Sequence, residues 1–254
     1  MKTTLKTTTA TAFALLVLAL PIRAASFSLN PSADAFVTTG PTANLSGNNY
    51  GAGGALSVAA PGFTNGEFQS VLRFELSGAR TSFDSQFGAG QWAIQSITLQ
   101  LTANAPNSGI FNASAAGQFG VSWMQNDSWV EGSDTPNAPT TTGVTFSSLP
   151  SFVSAGDESL GTFSFAGGTS GAASYSLNLT PGFGADATAG NLVSFRFSAA
   201  DTTVSYLFDS RSFTTTSARP LLTIVAVPEP AALSLLGVGA PLLLNNRRGR
   251  QFIS

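Results

Sequence analysis

The chain contains no cysteine and no histidine. Without cysteine there is no disulfide, no thiolate zinc site and no thiol nucleophile. That absence fits either side of a membrane, so it leaves the redox compartment open. Without histidine the usual general base near neutral pH and the commonest transition-metal ligand are gone, and serine–histidine chemistry is excluded. A pair of carboxylates, as in glycoside hydrolysis, remains open. Charge is scarce too: only 9% of the residues are Asp, Glu, Lys or Arg, while Gly, Ser, Thr, Ala and Asn abound. The surface is therefore polar but mostly uncharged.

The few charges are unevenly placed. The formal net charge of −2 includes Lys2, Lys6, Arg23, Arg247, Arg248 and Arg250, all in the two terminal segments. Between those segments only Arg73, Arg80, Arg196, Arg211 and Arg219 face twelve acids. An acidic body disfavours nucleic acid, whose backbone needs a basic patch. A length of 254 residues fits one generous domain or two small ones, with enough core to stand without crosslinks.

The N-terminal segment, Met1 to Ala25, reads as a secretory signal peptide to be removed by signal peptidase. Lys2 and Lys6 supply the positive region, and Ala12 to Leu20 an apolar stretch too short for an ordinary spanning helix. Pro21 breaks the helix, and Ile22-Arg23-Ala24 offers a small residue for cleavage. The other reading, a buried amphipathic helix, suffers from the lack of a polar face.

The C-terminal segment, residues 227–254, repeats the theme in reverse. Pro228-Glu229-Pro230 precedes an apolar stretch from Ala231 to Leu244, and then Arg247, Arg248 and Arg250. As a helix that stretch is about 21 Å long at ~1.5 Å per residue. The hydrocarbon core of a bilayer is roughly 30 Å, so this is a short span, extended by snorkelling arginines. The arginine cluster predicts a cytoplasmic tail with the body outside.

This order of parts resembles the PEP-CTERM sorting signal of Gram-negative bacteria. The resemblance implies recognition by an exosortase-type membrane enzyme, removal of the tail, and release or attachment at the surface. The family it resembles is associated with exopolysaccharide-producing biofilm bacteria. Pro241 and the short apolar run depart from the regular pattern. The plainer alternative is a membrane anchor that is never processed.

From residue 26 to about 226 short alternating runs dominate, with no helical periodicity of useful length. Leu72, Phe74 and Leu76 alternate with Arg73 and Glu75, and Ile97, Leu99 and Leu101 with Thr98 and Gln100. Phe119, Val121 and Trp123, then Tyr175, Leu177 and Leu179, continue the pattern. Val193, Phe195 and Phe197, then Val204, Tyr206 and Phe208, then Leu222 and Ile224, complete it. Period two with β-branched and aromatic residues means half-buried strands. Turn clusters such as Gly51-Ala52-Gly53-Gly54 punctuate them. The expectation is a single all-β domain, an antiparallel β-sandwich of jelly-roll type, flanked by the signal helix and the C-terminal hydrophobic helix. The longest irregular stretch runs from about Gln125 to Gly143.

The body is also similar to the DNRLRE-type β-sandwich domain of bacterial surface and polysaccharide-acting proteins. The resemblance rests on the order of several short motifs. These are Asp34-Ala35-Phe36-Val37, Asn49-Tyr50-Gly51, Leu56-Ser57-Val58 and Leu72-Arg73-Phe74-Glu75-Leu76. Trp123, Trp129 and Pro139 follow, then Phe208-Asp209-Ser210-Arg211 and Arg219-Pro220-Leu221-Leu222-Thr223-Ile224. Glu75 stands where the family has aspartate and Ser212 where it has glutamate, so an ion pair built on that glutamate is missing.

Three groups of residues are candidates for chemistry. Asp127, Glu131 and Asp134 share one loop, either as a calcium site or as a solvated acidic loop; their spacing is not that of an EF-hand. Arg211, Arg219, Asp209 and Glu75 form either a polar groove for a glycan or ion pairs tying the last strands to an earlier one, the latter being favoured. Trp129, in a loop, either stacks on a sugar or anchors the loop, whereas Trp123 lies on the core side of its strand. No other cofactor is implied.

Three functions compete. The first is a non-catalytic cell-surface or matrix protein. The second is a module binding extracellular polysaccharide through Trp129, Arg211 and Arg219. The third, least supported, is a glycan-cleaving enzyme with two carboxylates.

Overall fold

The computed structural model describes residues 23–104, 117–133, 138–139, 142–165 and 171–229, with backbone alone at 138–139. The expected signal segment up to residue 22 and the C-terminal apolar stretch lie outside the described residues, as do Asp134, Pro230, Arg247, Arg248 and Arg250. Among the described residues no helix is long and apolar enough to cross a membrane.

The alternating runs form strands. β1 (Ala25–Leu29), β2 (Ala33–Thr38), β3 (Asn48–Asn49), β4 (Ala55–Ala59) and β5 (Phe68–Glu75) precede the helix α1 (Ser77–Phe87). β6 (Trp92–Ala103), β7 (Gly117–Met124), β8 (Ala138–Pro139), β9 (Glu158–Phe165) and β10 (Gly171–Leu177) precede α2 (Pro181–Ala189). β11 (Leu192–Ala199), β12 (Ser205–Asp209) and β13 (Leu221–Pro228) complete the order. The strands pair antiparallel. The body thus begins at Ala25 and runs to Pro228, further into both terminal segments than their composition suggests.

One half of the sheet carries β1, β13, β6 and β10 side by side; the other carries β2, β5, β11, β7 and β9. The ribbon β4–β12 joins them through single-residue corners, Ala59 against Phe68 and Phe208 against Ala103. The two halves face each other in a sandwich-like arrangement. Phe119 of β7 lies 5.3 Å from Tyr175 of β10 and 5.7 Å from Phe208 of β12, centroid to centroid, so rings from both halves and the ribbon meet. Ile97, Leu99, Leu101, Leu222 and Ile224 enter this core from one side, and Leu72, Phe74, Val121, Phe195 and Phe197 from the other. Period two puts each set on one face of its strand.

Two helices close one end of this core, where the reading of the sequence expected none. α1 (SGARTSFDSQF) buries only Ala79 and Phe83, one helical turn apart, and α2 (PGFGADATA) only Phe183 and Ala187. Two inward residues per helix leave no periodic signal, yet Phe83 and Phe183 are fully buried plugs. Local chemistry did mark α2. Pro181 stands in its first turn, and Gly190, in the left-handed conformation at φ 71°, ends it.

Phe119 touches rings from five other residues, so its loss removes contacts from both halves of the core. Phe119→Ala is expected to destabilise the body by about 3–5 kcal/mol, the usual cost of such a truncation, read as a shifted denaturation midpoint.

Candidate functional site

The irregular stretch after β7 does not project into solvent. It folds back over the outer face of β2, β5 and β11 and builds a second small core there. Trp129, Met124, Val144 and Leu149 pack on Ala33, Ala35, Val37 and Val71. Trp129 is fully buried, its Nε1 donates to Ser194 Oγ at 2.8 Å, and the Arg73 guanidinium lies 4.9 Å from its ring centre. Arg73 Nη1 also donates to the carbonyls of Asp127 and Trp129, at 2.9 Å each. Cation–π contact and hydrogen bonds therefore grip the same turn of the loop.

Asn49 ties down the other strand of the loop. Its Nδ2 donates to the carbonyls of Glu131 and Val144, at 2.8 Å each, and its Oδ1 accepts from Gly51 N at 3.1 Å. The loop passes so close that a methyl group at Gly51 would overlap the carbonyls of Glu131 and Gly132. Only glycine fits this approach.

Beside this loop sit three charged groups drawn from distant parts of the chain. Arg211 Nε donates to Glu131 Oε1 at 2.7 Å, and Arg211 Nη2 donates to Glu131 Oε2, a bidentate pair. Glu131 Oε1 also accepts from Asp34 N at 3.0 Å, and Asp34 Oδ2 accepts from Arg211 N at 2.6 Å. Asp34 is nearly inaccessible. Burial raises its carboxyl from 3.8 to about 7, aided by the neighbouring Glu131 charge and opposed by the Arg211 backbone bond and guanidinium.

These placements decide several expectations. Trp129 anchors its loop and has no free face for a sugar ring, since it is fully buried. Trp123 and Trp92 are buried as well, so none of the three tryptophans is a stacking platform. Arg211 does tie the last strands to an earlier element, but its partner is Glu131, not Glu75 or Asp209. Glu75 is exposed and accepts from Ser77 Oγ, while Asp209 accepts from Asn104 Nδ2. Arg219 stays within its own loop, with Nε on Phe213 O at 2.9 Å. For calcium, Glu131 spends both oxygens on Arg211, and burial raises the Asp127 carboxyl above its ordinary value. Among the described residues no three acidic side chains gather to hold a metal ion. The Asp34–Glu131–Arg211 cluster escaped the sequence reading because its members are far apart and no spacing rule joins them.

The other distinctive place is the end where the chain enters and leaves the body. Ala25 pairs with Ala226 at the start of β1, and Pro228, the first residue of the Pro-Glu-Pro motif, pairs with Trp92. Glu229 N donates to Gln91 O at 2.9 Å, and its side chain is exposed. Next to it opens a groove of about 690 Å³ between α1 and α2, floored by Trp92. Trp92 Nε1 donates to Asp84 Oδ1 at 2.8 Å, and the Asp84 carboxyl is held below its ordinary value chiefly by that bond. Arg80 approaches Asp84 Oδ2 at 3.4 Å through Nε, and its Nη1 donates to Ala189 O at 2.8 Å, bracing α1 against the end of α2.

No family model matches this chain, and no curated protein matches it. Among solved structures it is similar to a chain from Desmodium yellow mottle tymovirus, at 10% identity and a TM-score of 0.25. That match covers 88% of this chain and 97% of the viral one, and a score so low carries no argument about fold or function.

The Asp34 cluster makes stability depend on pH in a defined direction. The folded state holds the Asp34 proton up to about pH 7, whereas an unfolded carboxyl releases it near 3.8. Between those values the folded chain binds more protons, so stability falls as pH rises through that window and levels off above it. Asp34→Asn keeps an acceptor for Arg211 N and is expected to flatten this slope in denaturation series at pH 4 to 8. An unchanged slope would mean that another group sets it.

Proposed function

We propose that this chain is an exported, non-catalytic cell-surface or extracellular-matrix protein, sorted through a PEP-CTERM-type tail by an exosortase-type membrane enzyme. Its body is read as a jelly-roll-like sandwich of the DNRLRE kind. The observation that carries the reading is the position of the motif. Pro228 closes the last strand, Glu229 is exposed directly after it, and the apolar stretch begins at Ala231. A motif at the edge of a folded body, followed at once by an apolar segment and arginines, is where a membrane enzyme can reach it.

The composition supports a body that holds or binds. Histidine and cysteine are missing, and the charged cluster at Asp34, Glu131 and Arg211 is closed upon itself by mutual bonds. Partly buried ionic groups of this kind cost some desolvation and hold the loop in one arrangement. Polysaccharide binding, the alternative, would have to use surfaces other than the three buried tryptophans.

Replacing Pro228, Glu229 and Pro230 together by alanine is expected to block removal of the tail in the native host and leave the protein in the membrane fraction. Unaltered processing and location would falsify the sorting assignment. A panel of acidic and neutral polysaccharides, applied to residues 25–229, is expected to show no binding that depends on Trp129. Binding lost in Trp129→Phe, with the fold intact, would favour the carbohydrate reading.

A further inference from the structure

We infer that the groove between α1, α2 and the end of β13 is a docking surface for the membrane enzyme that reads the Pro-Glu-Pro motif. Recognition of this substrate is then bipartite, using the motif and the folded body beside it. The inference rests on the sorting function proposed above and adds to it a second contact, outside the motif.

Glu229 is still fastened to the body through its N–H on Gln91 O, and only Pro230 separates it from the apolar stretch at Ala231. Extended chain spans at most about 3.6 Å per residue, so Ala231 lies within roughly 7 Å of Glu229. The polar layer on each side of the hydrocarbon core is about 5–8 Å thick. If the apolar stretch enters the membrane at Ala231, as the proposed function requires, the Glu229 edge of the groove comes within reach of the headgroup layer. An enzyme embedded there that closes on Pro228-Glu229-Pro230 comes up beside the groove walls, because Glu229 and Trp92 line the groove and Trp92 pairs with Pro228.

The groove walls are also tied to one another. Trp92 forms its floor and is registered against Pro228 through the backbone, while its ring is locked by Asp84, and Asp84 by Arg80, which bridges to α2. The Glu229 backbone is thereby held at the rim, with its side chain exposed beside it. Ala185, Thr188 and Ala189 make the α2 wall; they are small, exposed and free of charge. Such a wall admits close approach of another surface with little side-chain ordering cost. Arg80 in the groove is outnumbered by Asp84 and Glu229, which disfavours the anionic lipid surface and suits a basic face on the partner.

The test alters the wall and leaves the motif alone. Ala185→Arg combined with Thr188→Arg places two long cations on an exposed helix face without touching the core. In the native host, pulse-chase measurement of tail removal is expected to slow by about fivefold or more, the size of an ordinary interface contact. The thermal midpoint of the variant body is expected to match the parent. A second arm joins residues 228–254 to an unrelated folded carrier, which is expected to be processed more slowly than the parent. Parental rates in both arms would overturn the inference while leaving the sorting function standing. Parental processing of the Pro228, Glu229 and Pro230 triple-alanine chain would instead remove the function on which it rests. Binding of residues 25–229 to vesicles of phosphatidylethanolamine and phosphatidylglycerol, lost in a variant combining Ala185→Glu and Thr188→Glu, would also overturn it, because the groove would then read lipid.

Discussion

The pairing of β13 between β1 and β6 is the constraint on which the rest depends. β13 is the last strand of the body, and its two neighbours are the first strand and the long strand β6. Antiparallel register sets Ala25 beside Ala226 and Pro228 beside Trp92, so the chain enters and leaves at one end. That same end is plugged by Phe83 and Phe183 from the two helices. The hydrophobic closure of the core, the braced groove and the start of the Pro-Glu-Pro motif are therefore one piece of structure. A change in the packing of α1 against β13 reaches the motif through few intermediates.

The opposite economy governs the outer face of β5. Val71 points away from the main core, and the strand would leave an apolar stripe in water if nothing covered it. The long loop after β7 supplies the cover. Its hold is a mixture of forces: Trp129 buries a large apolar surface, Asn49 satisfies two loop carbonyls, and Arg211 neutralises Glu131. Each addresses a separate cost, namely exposed hydrocarbon, unpaired backbone and an acid next to the nearly buried Asp34. The residues that look most chemical in the sequence are thus engaged in keeping a loop on a sheet.

Legibility followed the strength of the periodic signal. Leu72 and Phe74, Ile97 and Leu99, Phe195 and Phe197 alternate cleanly, and all six face the core as read. The helices were hidden because a turn that buries only Ala79 and Phe83 looks like loop. Asn48-Asn49 reads as a turn by composition, yet it forms a short buried strand against Ala138-Pro139, and the Asn49 side chain satisfies the loop it meets. Trp129 illustrates the limit of residue-type reasoning. A tryptophan in a loop with acids nearby fits a sugar platform or an anchor equally well, and only the fold of the loop over Val71 and Ser194 separates them.

The central claim is that the described body is what remains after export and sorting. Identifying both termini of the mature protein from its native host, by intact mass and terminal peptides, tests this most directly. The account predicts an N-terminus at or just before Ala25, where β1 begins, and a C-terminus that lacks the apolar stretch from Ala231 to Leu244 and the arginines beyond it. A mature chain that still carries Arg247, Arg248 and Arg250 would contradict it and leave a plain membrane anchor in its place.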